Sequence, residues 1–182
     1  MLAFTPLERH YVNGGHTMPT IRPDLPSDIP AITEVLTSAF PSPDETELVK
    51  ALRQNGHLAI SLVAEEDGIV VGYIACSPVS VNGKSGGLGL APVAVVPEQQ
   101  SLGIGCLLVK ESLAAAKAAG ADYVVVLGHS HYYPRFGFQA AKPLGYDNEY
   151  AADDSFMIIE LKPGRLPPKG TIKYGPEFAA WS

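Results

Sequence analysis

One turn of the chain combines residue types and spacing that suit the binding of a phosphate. The turn is Gln100-Ser101-Leu102-Gly103-Ile104-Gly105, between an apolar run and an alanine-rich stretch. A helix that starts directly after a strand and a short turn presents several backbone N–H groups without intrahelical partners. The helix dipole adds roughly half a positive charge there, and the two glycines lack the Cβ atoms that would keep a pyrophosphate away. The pattern predicts a site for a nucleotide-like cofactor.

Simpler interpretations of this turn and of a nearby histidine pair remain open. A Gly-x-Gly turn is also compatible with a tight strand-to-helix connection that binds nothing. A Rossmann-type dinucleotide site is disfavoured because a third glycine in register is missing. His129 and His131 are metal-ligand types, but no acidic or cysteine ligand stands close to them in the sequence. No metal is therefore predicted.

The elements around the turn predict how it is held. Residues 88–96 form an apolar strand that leads into the turn, and residues 103–119 form the helix that follows. Residues 123–127 are a continuous apolar run typical of a strand buried on both faces and parallel to its neighbour. Pro92 cannot donate to a ladder, so it predicts a bulge or a point where the neighbouring strand has separated. Such a gap would expose backbone groups to a ligand.

The remaining elements predict a mixed architecture. Two amphipathic helices are expected at residues 29–40 and 44–54. They are followed by a hairpin whose strands, residues 58–65 and 70–77, are joined by Asp67-Gly68. A last strand is expected at residues 156–161. Upstream hairpins of this kind contradict a strictly alternating α/β fold.

Length and composition indicate one globular domain. The chain has 182 residues, of which 46% are hydrophobic and 18% charged, which is enough apolar material for a packed core but too short for two ordinary domains. We expect a weakly ordered extension at residues 1–17, a single domain at residues 18–162, and a proline- and glycine-rich tail at residues 163–182 that wraps the surface.

Net charge and cysteine content limit which partners and which cellular compartment are expected for this protein. A net charge of −6 argues against a nucleic-acid partner, which requires a basic face. No apolar stretch approaches the roughly 18 to 20 residues that cross a membrane, so no membrane association is expected. Cys76 and Cys106 have no partners at metal-ligand spacing. A cytoplasmic location is the prediction.

Three segments together resemble the GNAT superfamily of acetyl-CoA-dependent N-acetyltransferases. They are Val93-Ala94-Val95-Val96-Pro97, the Gln100-x-x-Gly103-x-Gly105 turn, and Tyr133-Pro134-Arg135-Phe136-Gly137-Phe138. The resemblance covers roughly residues 19–162. Its run from Gly128 to Phe138 is most similar to a branch of predicted acetyltransferases. The implied fold is a mixed α/β (α+β) one, with a mostly antiparallel central sheet, a splayed parallel pair and flanking helices.

The resemblance also implies a site. The backbone of the strand would pair with the pantetheine arm of acetyl-CoA, and the turn would cradle the pyrophosphate. The implied cofactor-binding residues are Val93, Ala94, Val95, Gln100, Ser101, Leu102, Gly103, Ile104, Gly105 and Cys106. Tyr133 falls on the tyrosine that protonates the departing CoA thiolate. Many members of the family carry a CoA-contacting asparagine just after the second strand, where this chain has Gly128-His129.

The implied reaction is direct attack of a primary amine, of a small molecule or a peptide, on the acetyl thioester. A backbone N–H near Ala94 would stabilise the oxyanion. The general base stays open among Glu98, His129, His131 and a water molecule. A noncatalytic acyl-CoA-binding module on the same fold is the alternative, and a homodimer is compatible with the family.

Overall fold

The structure is a computed structural model that describes residues 12–13 and 16–181. The α-helices of the described residues are α1 (Ile29–Ala39), α2 (Asp44–Gln54) and α3 (Ile104–Ala118). Their strands are β1 (Val12–Asn13), β2 (His16–Thr17), β3 (Thr20–Pro23), β4 (Ile60–Glu66), β5 (Ile69–Val81), β6 (Lys84–Val95), β7 (Tyr123–Leu127), β8 (Gln139–Ala140), β9 (Tyr146–Asn148), β10 (Phe156–Glu160) and β11 (Gly170–Lys173). No helix among these residues is long and apolar enough to cross a membrane.

A mixed sheet carries the fold. Its main order is β3-β4-β5-β6-β7-β10-β8, and β11 joins it by pairing with β5 and β9. Along the main order, β6 and β7 are the parallel neighbours, and the other pairs are antiparallel. The predicted fold class, a mostly antiparallel sheet with a parallel pair and flanking helices, is confirmed.

Two tight turns set the long central hairpins. Asp67 and Gly68 connect β4 to β5 with φ of 50° and 81°, and Asn82 and Gly83 connect β5 to β6 with φ of 51° and 73°. Two consecutive residues with positive φ match the right-handed twist of the flanking strands. The Asp67-Gly68 turn lies where the sequence predicted it, and Asn82-Gly83 is an Asn-Gly pair of the type that favours such a turn.

The predicted bulge and the predicted separation both occur in β6. Val93 pairs with Ile74, whereas Leu90 pairs with Cys76, so β6 has one more residue than β5 across this interval, beside Pro92. On the other side, β6 pairs with β7 only from Gly87 to Gly89. Residues 90–95 therefore have no β7 partner, and the two parallel strands diverge from this point.

The helices cover opposite faces of the sheet. On one face, Leu108 and Val109 of α3 pack in a cluster with Ile74, Leu90 and Val124 of the sheet. On the other face, Ile32 and Leu36 of α1 pack in a cluster with Val63, Tyr73 and Ala94 of the sheet. Side chains alternate along β6, so one strand serves both cores.

The ends of the chain differ from the sequence expectation. The expected extension at residues 1–17 falls mainly outside the described residues, and β1 and β2 form a short antiparallel ladder within it. The tail was expected to wrap the surface, but residues 170–173 form β11, whose Ile172 is fully buried. Its proline and glycine content concealed the strand, because β11 is short and is stabilised by distant partners.

Candidate active site

The start of α3 presents unpaired backbone N–H groups to the end of the diverging strand. Gly103 precedes the helix with φ of 92°, and Ser101 also has a positive φ of 65°. The carbonyl of Gly103 accepts the hydrogen bond from Leu107 N, 3.1 Å away. The N–H groups of Ile104, Gly105 and Cys106 therefore have no acceptor within the helix. A Cβ at Gly103 would meet nothing within 4 Å, so the space in front of these groups is open.

The turn between β6 and α3 is held by side-chain amides. Gln100 Nε2 donates to the carbonyl of Val95 at 3.0 Å. Gln99 Nε2 donates to Glu66 Oε2 at 2.8 Å, which ties the turn to the end of β4. Gln100 thus shapes the loop by closing it onto its own strand, and its role in binding the cofactor stays a prediction.

The predicted cofactor-binding residues come together in two adjoining groups. Val93, Ala94 and Val95 lie on the part of β6 that has no β7 partner. The residues from Ser101 to Cys106 lie at the turn and the helix start, where Leu102 is 56% exposed and Ile104 is buried. The groups that all these residues can offer to a ligand are backbone groups, because some of their side chains point to solvent and others point to the core.

Tyr133 lies in the short 3₁₀ helix Tyr133–Phe136 and is 8% exposed. Its ring makes edge contacts with Tyr132 and Phe138, at centroid distances of 5.1 and 5.6 Å. Burial raises the pKa of Tyr133 to about 12, so the phenol stays protonated at neutral pH. Its hydroxyl makes no hydrogen bond within the described part of the chain and is free to donate to a ligand.

Gly128 explains the departure from the family's asparagine. A Cβ at Gly128 would lie 2.4 Å from Cε2 of Tyr133, a distance that no side chain tolerates. The Tyr133 ring therefore occupies the space that a larger residue at this position would need. Whether His129 takes over the contact of the missing asparagine stays a prediction.

Tyr132 was not predicted from the sequence, yet its hydroxyl reaches the start of α3. It donates to Cys106 Sγ at 3.5 Å and lies 3.2 Å from the position of a Cβ at Gly105. The Arg135 guanidinium lies 4.6 Å from the centre of the Tyr132 ring. Neighbouring residues of a tight turn point in different directions. Two consecutive tyrosines in such a turn are therefore a sequence signal that their hydroxyl groups can reach two different parts of the site.

The three candidate bases have exposed side chains near the ends of the diverging strands. Glu98 lies in the turn after β6, and His129 and His131 line a cavity of about 420 Å³ just beyond β7. The side chains of these residues form no hydrogen bond or ion pair with other described groups. The carbonyl of His129 accepts hydrogen bonds from Tyr132 N and Tyr133 N, at 2.9 and 3.5 Å. No side-chain hydrogen bond joins any of the three candidates to Tyr133, and the choice among them stays open. No group of three or more potential metal ligands occurs within residues 12–13 and 16–181.

Comparison with known proteins assigns the family. Residues 29–138 match the acetyltransferase (GNAT) family. This match spans more than half of the chain and includes β6, the turn, α3 and Tyr133. The chain belongs to the GNAT acetyltransferases, and the predicted N-acetyltransferase class is confirmed.

Individual relatives agree with this assignment. The uncharacterized N-acetyltransferase YhbS of Escherichia coli K12 is 42% identical over 123 residues, which cover 66% of this chain and 74% of YhbS. The crystal structure of Escherichia coli YhbS in complex with CoA is similar with a TM-score of 0.87 and 33% identity, covering 95% of this chain and 98% of that one. A GNAT acetyltransferase from Brucella melitensis in complex with acetyl-CoA has a TM-score of 0.74 and 39% identity, covering 87% and 96%.

Proposed function

We propose that this protein transfers the acetyl group of acetyl-CoA directly to a primary amine of a small molecule or a peptide. The observation that carries the proposal is the junction of an unpaired strand edge with an unpaired helix start. Residues 90–95 of β6 lack a β7 partner, and α3 begins at Ile104 directly beyond the strand and its turn. The CoA and acetyl-CoA complexes of the two structural relatives support the choice of ligand.

The backbone of β6 would hold the pantetheine arm as an added strand. Backbone groups of alternate residues in a strand point to opposite neighbours, so those groups of Val93, Ala94 and Val95 that are not bonded to β5 point into the gap between β6 and β7. One carbonyl, that of Val95, is already bonded to Gln100. The remaining groups can bind an amide-containing chain in the manner of strand addition, and the N–H near Ala94 would stabilise the oxyanion.

The turn and the start of α3 would bind the pyrophosphate. The unpaired N–H groups of Gly103, Ile104, Gly105 and Cys106 suit an anion, and the open space at Gly103 admits it. Ser101 and Leu102 are the exposed residues of the same loop. The site needs no basic side chain, because the helix dipole and the N–H groups supply the positive potential.

Tyr133 would act on the leaving sulfur. A pKa of about 12 lies above the roughly 8.5 of an ordinary thiol, so a complete proton transfer from the phenol to a thiolate is uphill. The hydroxyl therefore stabilises the developing thiolate mainly through a hydrogen bond. The amine loses one proton to a base on becoming the amide, and the thiolate gains one on becoming the thiol. The base is Glu98, His129, His131 or a water molecule.

Calorimetric titration with acetyl-CoA, free CoA and NAD tests the binding step. We expect saturable one-site binding of acetyl-CoA and CoA, and none of NAD. Thiol release in the presence of n-butylamine, spermidine and a short lysine-containing peptide then tests transfer. Binding of acetyl-CoA without transfer to any amine would favour the noncatalytic alternative. Absence of binding to the folded protein would contradict the cofactor site itself.

A further inference from the structure

The C-terminal segment reaches the face of the sheet opposite α3. β11 pairs with the end of β5, Ile172 opposite Val81 and Lys173 opposite Ser80. Tyr174 follows at once and packs against the cluster of this face that contains Tyr123 and Val125. The segment lies outside residues 29–138, the part that matches the family.

The ring of Tyr174 lies directly on the backbone of β6 where the parallel strands separate. A Cβ at Gly89 would be 2.2 Å from Cε1 of Tyr174. Gly89 is the last residue of β6 that pairs with β7. Tyr174 also packs in a cluster that includes Ala91, the neighbour of Pro92 at the bulge. The ring therefore marks the closed end of the gap that we assign to acetyl-CoA.

Contacts on both sides of Tyr174 fix its position. Its backbone N–H donates to Glu149 Oε1 at 2.9 Å. Three residues later, the carboxylate of Glu177 accepts a hydrogen bond from Asn55 Nδ2 at 2.7 Å and contacts His57 Nδ1 at 2.7 Å. Phe178 is buried against α2. Tyr174 is thus a held side chain rather than part of a loose tail.

The two residues of this face that lie at Gly89, Ser77 and Tyr174, both have hydroxyl groups without a partner among the described residues. The Tyr174 hydroxyl makes no hydrogen bond to any described residue. Ser77, the cross-strand partner of Gly89, is 1% exposed, and its Oγ is buried without a hydrogen-bond partner among the described residues. Buried hydroxyls are normally bonded because an unpaired one costs free energy. Ser77 and the Tyr174 ring both lie at Gly89, on one face of the sheet, so a ligand that reaches this point can supply the bond that Ser77 Oγ lacks.

The two tyrosines approach the gap from opposite faces. Tyr133 belongs to the cluster on the α3 face, and Tyr174 belongs to those on the other face. Burial above all, together with the ionisable groups of Tyr150, Cys76 and Tyr133, raises the pKa of Tyr174 well above its usual range. The Tyr174 hydroxyl is consequently neutral at physiological pH, and its oxygen can accept a hydrogen bond from an amine.

We propose that Tyr174 positions the acceptor amine at the transfer point, accepting a hydrogen bond from its N–H while the ring forms one wall of the acceptor pocket. Ser77 Oγ supplies a second hydrogen-bonding group on the same side. The proposal rests on the proposed acetyltransferase function and extends it by naming the face from which the amine arrives. Tyr133 then serves the sulfur and Tyr174 the nitrogen, on opposite sides of the reacting carbonyl.

Calorimetry with a bisubstrate ligand separates the two roles. The ligand joins the CoA sulfur through an acetyl linker to n-butylamine, so it carries both the cofactor and an N–H at the transfer point. Tyr174→Phe removes the hydroxyl and keeps the ring. We expect three- to tenfold weaker binding of the bisubstrate ligand, in the range of one hydrogen bond, with unchanged affinity for acetyl-CoA.

Tyr123→Phe is the matched control. The Tyr123 ring lies on Gly87, 2.1 Å from the position of a Cβ there, and its hydroxyl is also buried without a partner among the described residues. This variant should bind both ligands like the unmodified protein. If Tyr174→Phe bound each ligand with the same affinity as Tyr123→Phe, the role of Tyr174 would be overturned. The proposed acetyltransferase function would not be affected by that result. Failure of the unmodified protein to bind acetyl-CoA would overturn the proposed function, and this proposal with it.

Discussion

The two faces of the gap between β6 and β7 are built in different ways. On the cofactor side, the strand, the turn and the start of α3 are contiguous in the chain, and their ligand-facing groups are mainly backbone. On the opposite side, Gly89, Ser77 and Tyr174 come from separate elements, and the groups offered are side-chain hydroxyls. The first face depends on backbone conformation, whereas the second depends on packing between distant segments.

This contrast predicts different sensitivities. A side-chain change in the turn should matter little unless it alters φ, because the N–H groups remain in place. A side-chain change on the opposite face should matter directly, because the side chain itself is the contact. Four substitutions test the comparison, from the largest expected effect to the smallest.

Tyr133→Phe should have the largest effect on catalysis. Loss of the hydroxyl removes the hydrogen bond to the departing sulfur, and we expect kcat to fall on the order of 10- to 100-fold, in the range of a hydrogen bond to a charged group. The acetyl-CoA dissociation constant from calorimetry should stay the same. Unchanged kcat would remove Tyr133 from the mechanism, and the Tyr132→Phe variant would then show whether its neighbour at Cys106 serves instead.

Gly89→Ala should destabilise the fold through the Tyr174 ring. The new methyl group would lie 2.2 Å from Cε1, and overpacking of this kind costs about 1 to 3 kcal/mol. Urea unfolding measures that cost. The same substitution in a Tyr174→Ala background should cost less, because the obstructing ring is absent. An equal cost in both backgrounds would contradict the contact between Gly89 and Tyr174.

Gly103→Ala should weaken cofactor binding by roughly tenfold. The position has φ of 92° and open space around it, so the cost is conformational, about 1 to 2 kcal/mol for a residue with a Cβ. Either the turn moves and the N–H groups with it, or strain remains. Leu102→Ala, at a 56% exposed neighbour, is the control and should bind acetyl-CoA normally. Similar affinities for both variants would mean that the turn is only structural.

The smallest expected effect is an acid-dependent loosening of the C-terminal segment. Burial raises the pKa of Glu177, but hydrogen bonds from Asn55 and the contact with His57 outweigh it and hold the pKa below its ordinary value of 4.5. A carboxylate with a lowered pKa stabilises the fold above its unfolded pKa, and the contribution is lost as pH falls through the folded pKa. The protection of the Ile172 amide against hydrogen exchange, relative to its intrinsic exchange rate at each pH, should therefore fall below about pH 4.5.

Glu177→Gln is the variant that checks this assignment. It keeps a hydrogen-bond acceptor for Asn55 and cannot titrate, so the acid-dependent loss of protection at Ile172 should disappear. Lys142 and Asp153 form an exposed ion pair elsewhere, and Asp153→Asn should leave the exchange at Ile172 unaltered. Acid dependence that persists in Glu177→Gln would show that another group loosens the segment.

Much of the fold was predictable because its signals are local. The turns at Asp67-Gly68 and Asn82-Gly83 require positive φ that few residue pairs adopt readily, and α1 and α2 show their buried stripes in the sequence. Pro92 predicted a bulge or a separation from the neighbouring strand, and both occur. By contrast β8, β9 and β11 are short strands without a strong local pattern, and they form only because partners elsewhere in the sheet provide hydrogen bonds.

The candidate site divides along the same line. The amino-acid sequence alone was enough to predict the side that we propose for the cofactor, because a strand, a turn and a helix start in succession place their unpaired backbone groups at one spot. Only the tertiary structure decided that Tyr132 reaches Cys106, that Tyr133 requires Gly128, and that Tyr174 lies on Gly89. Such contacts depend on how separate segments pack. No short-range pattern records them, because the residues involved meet only once the sheet has formed.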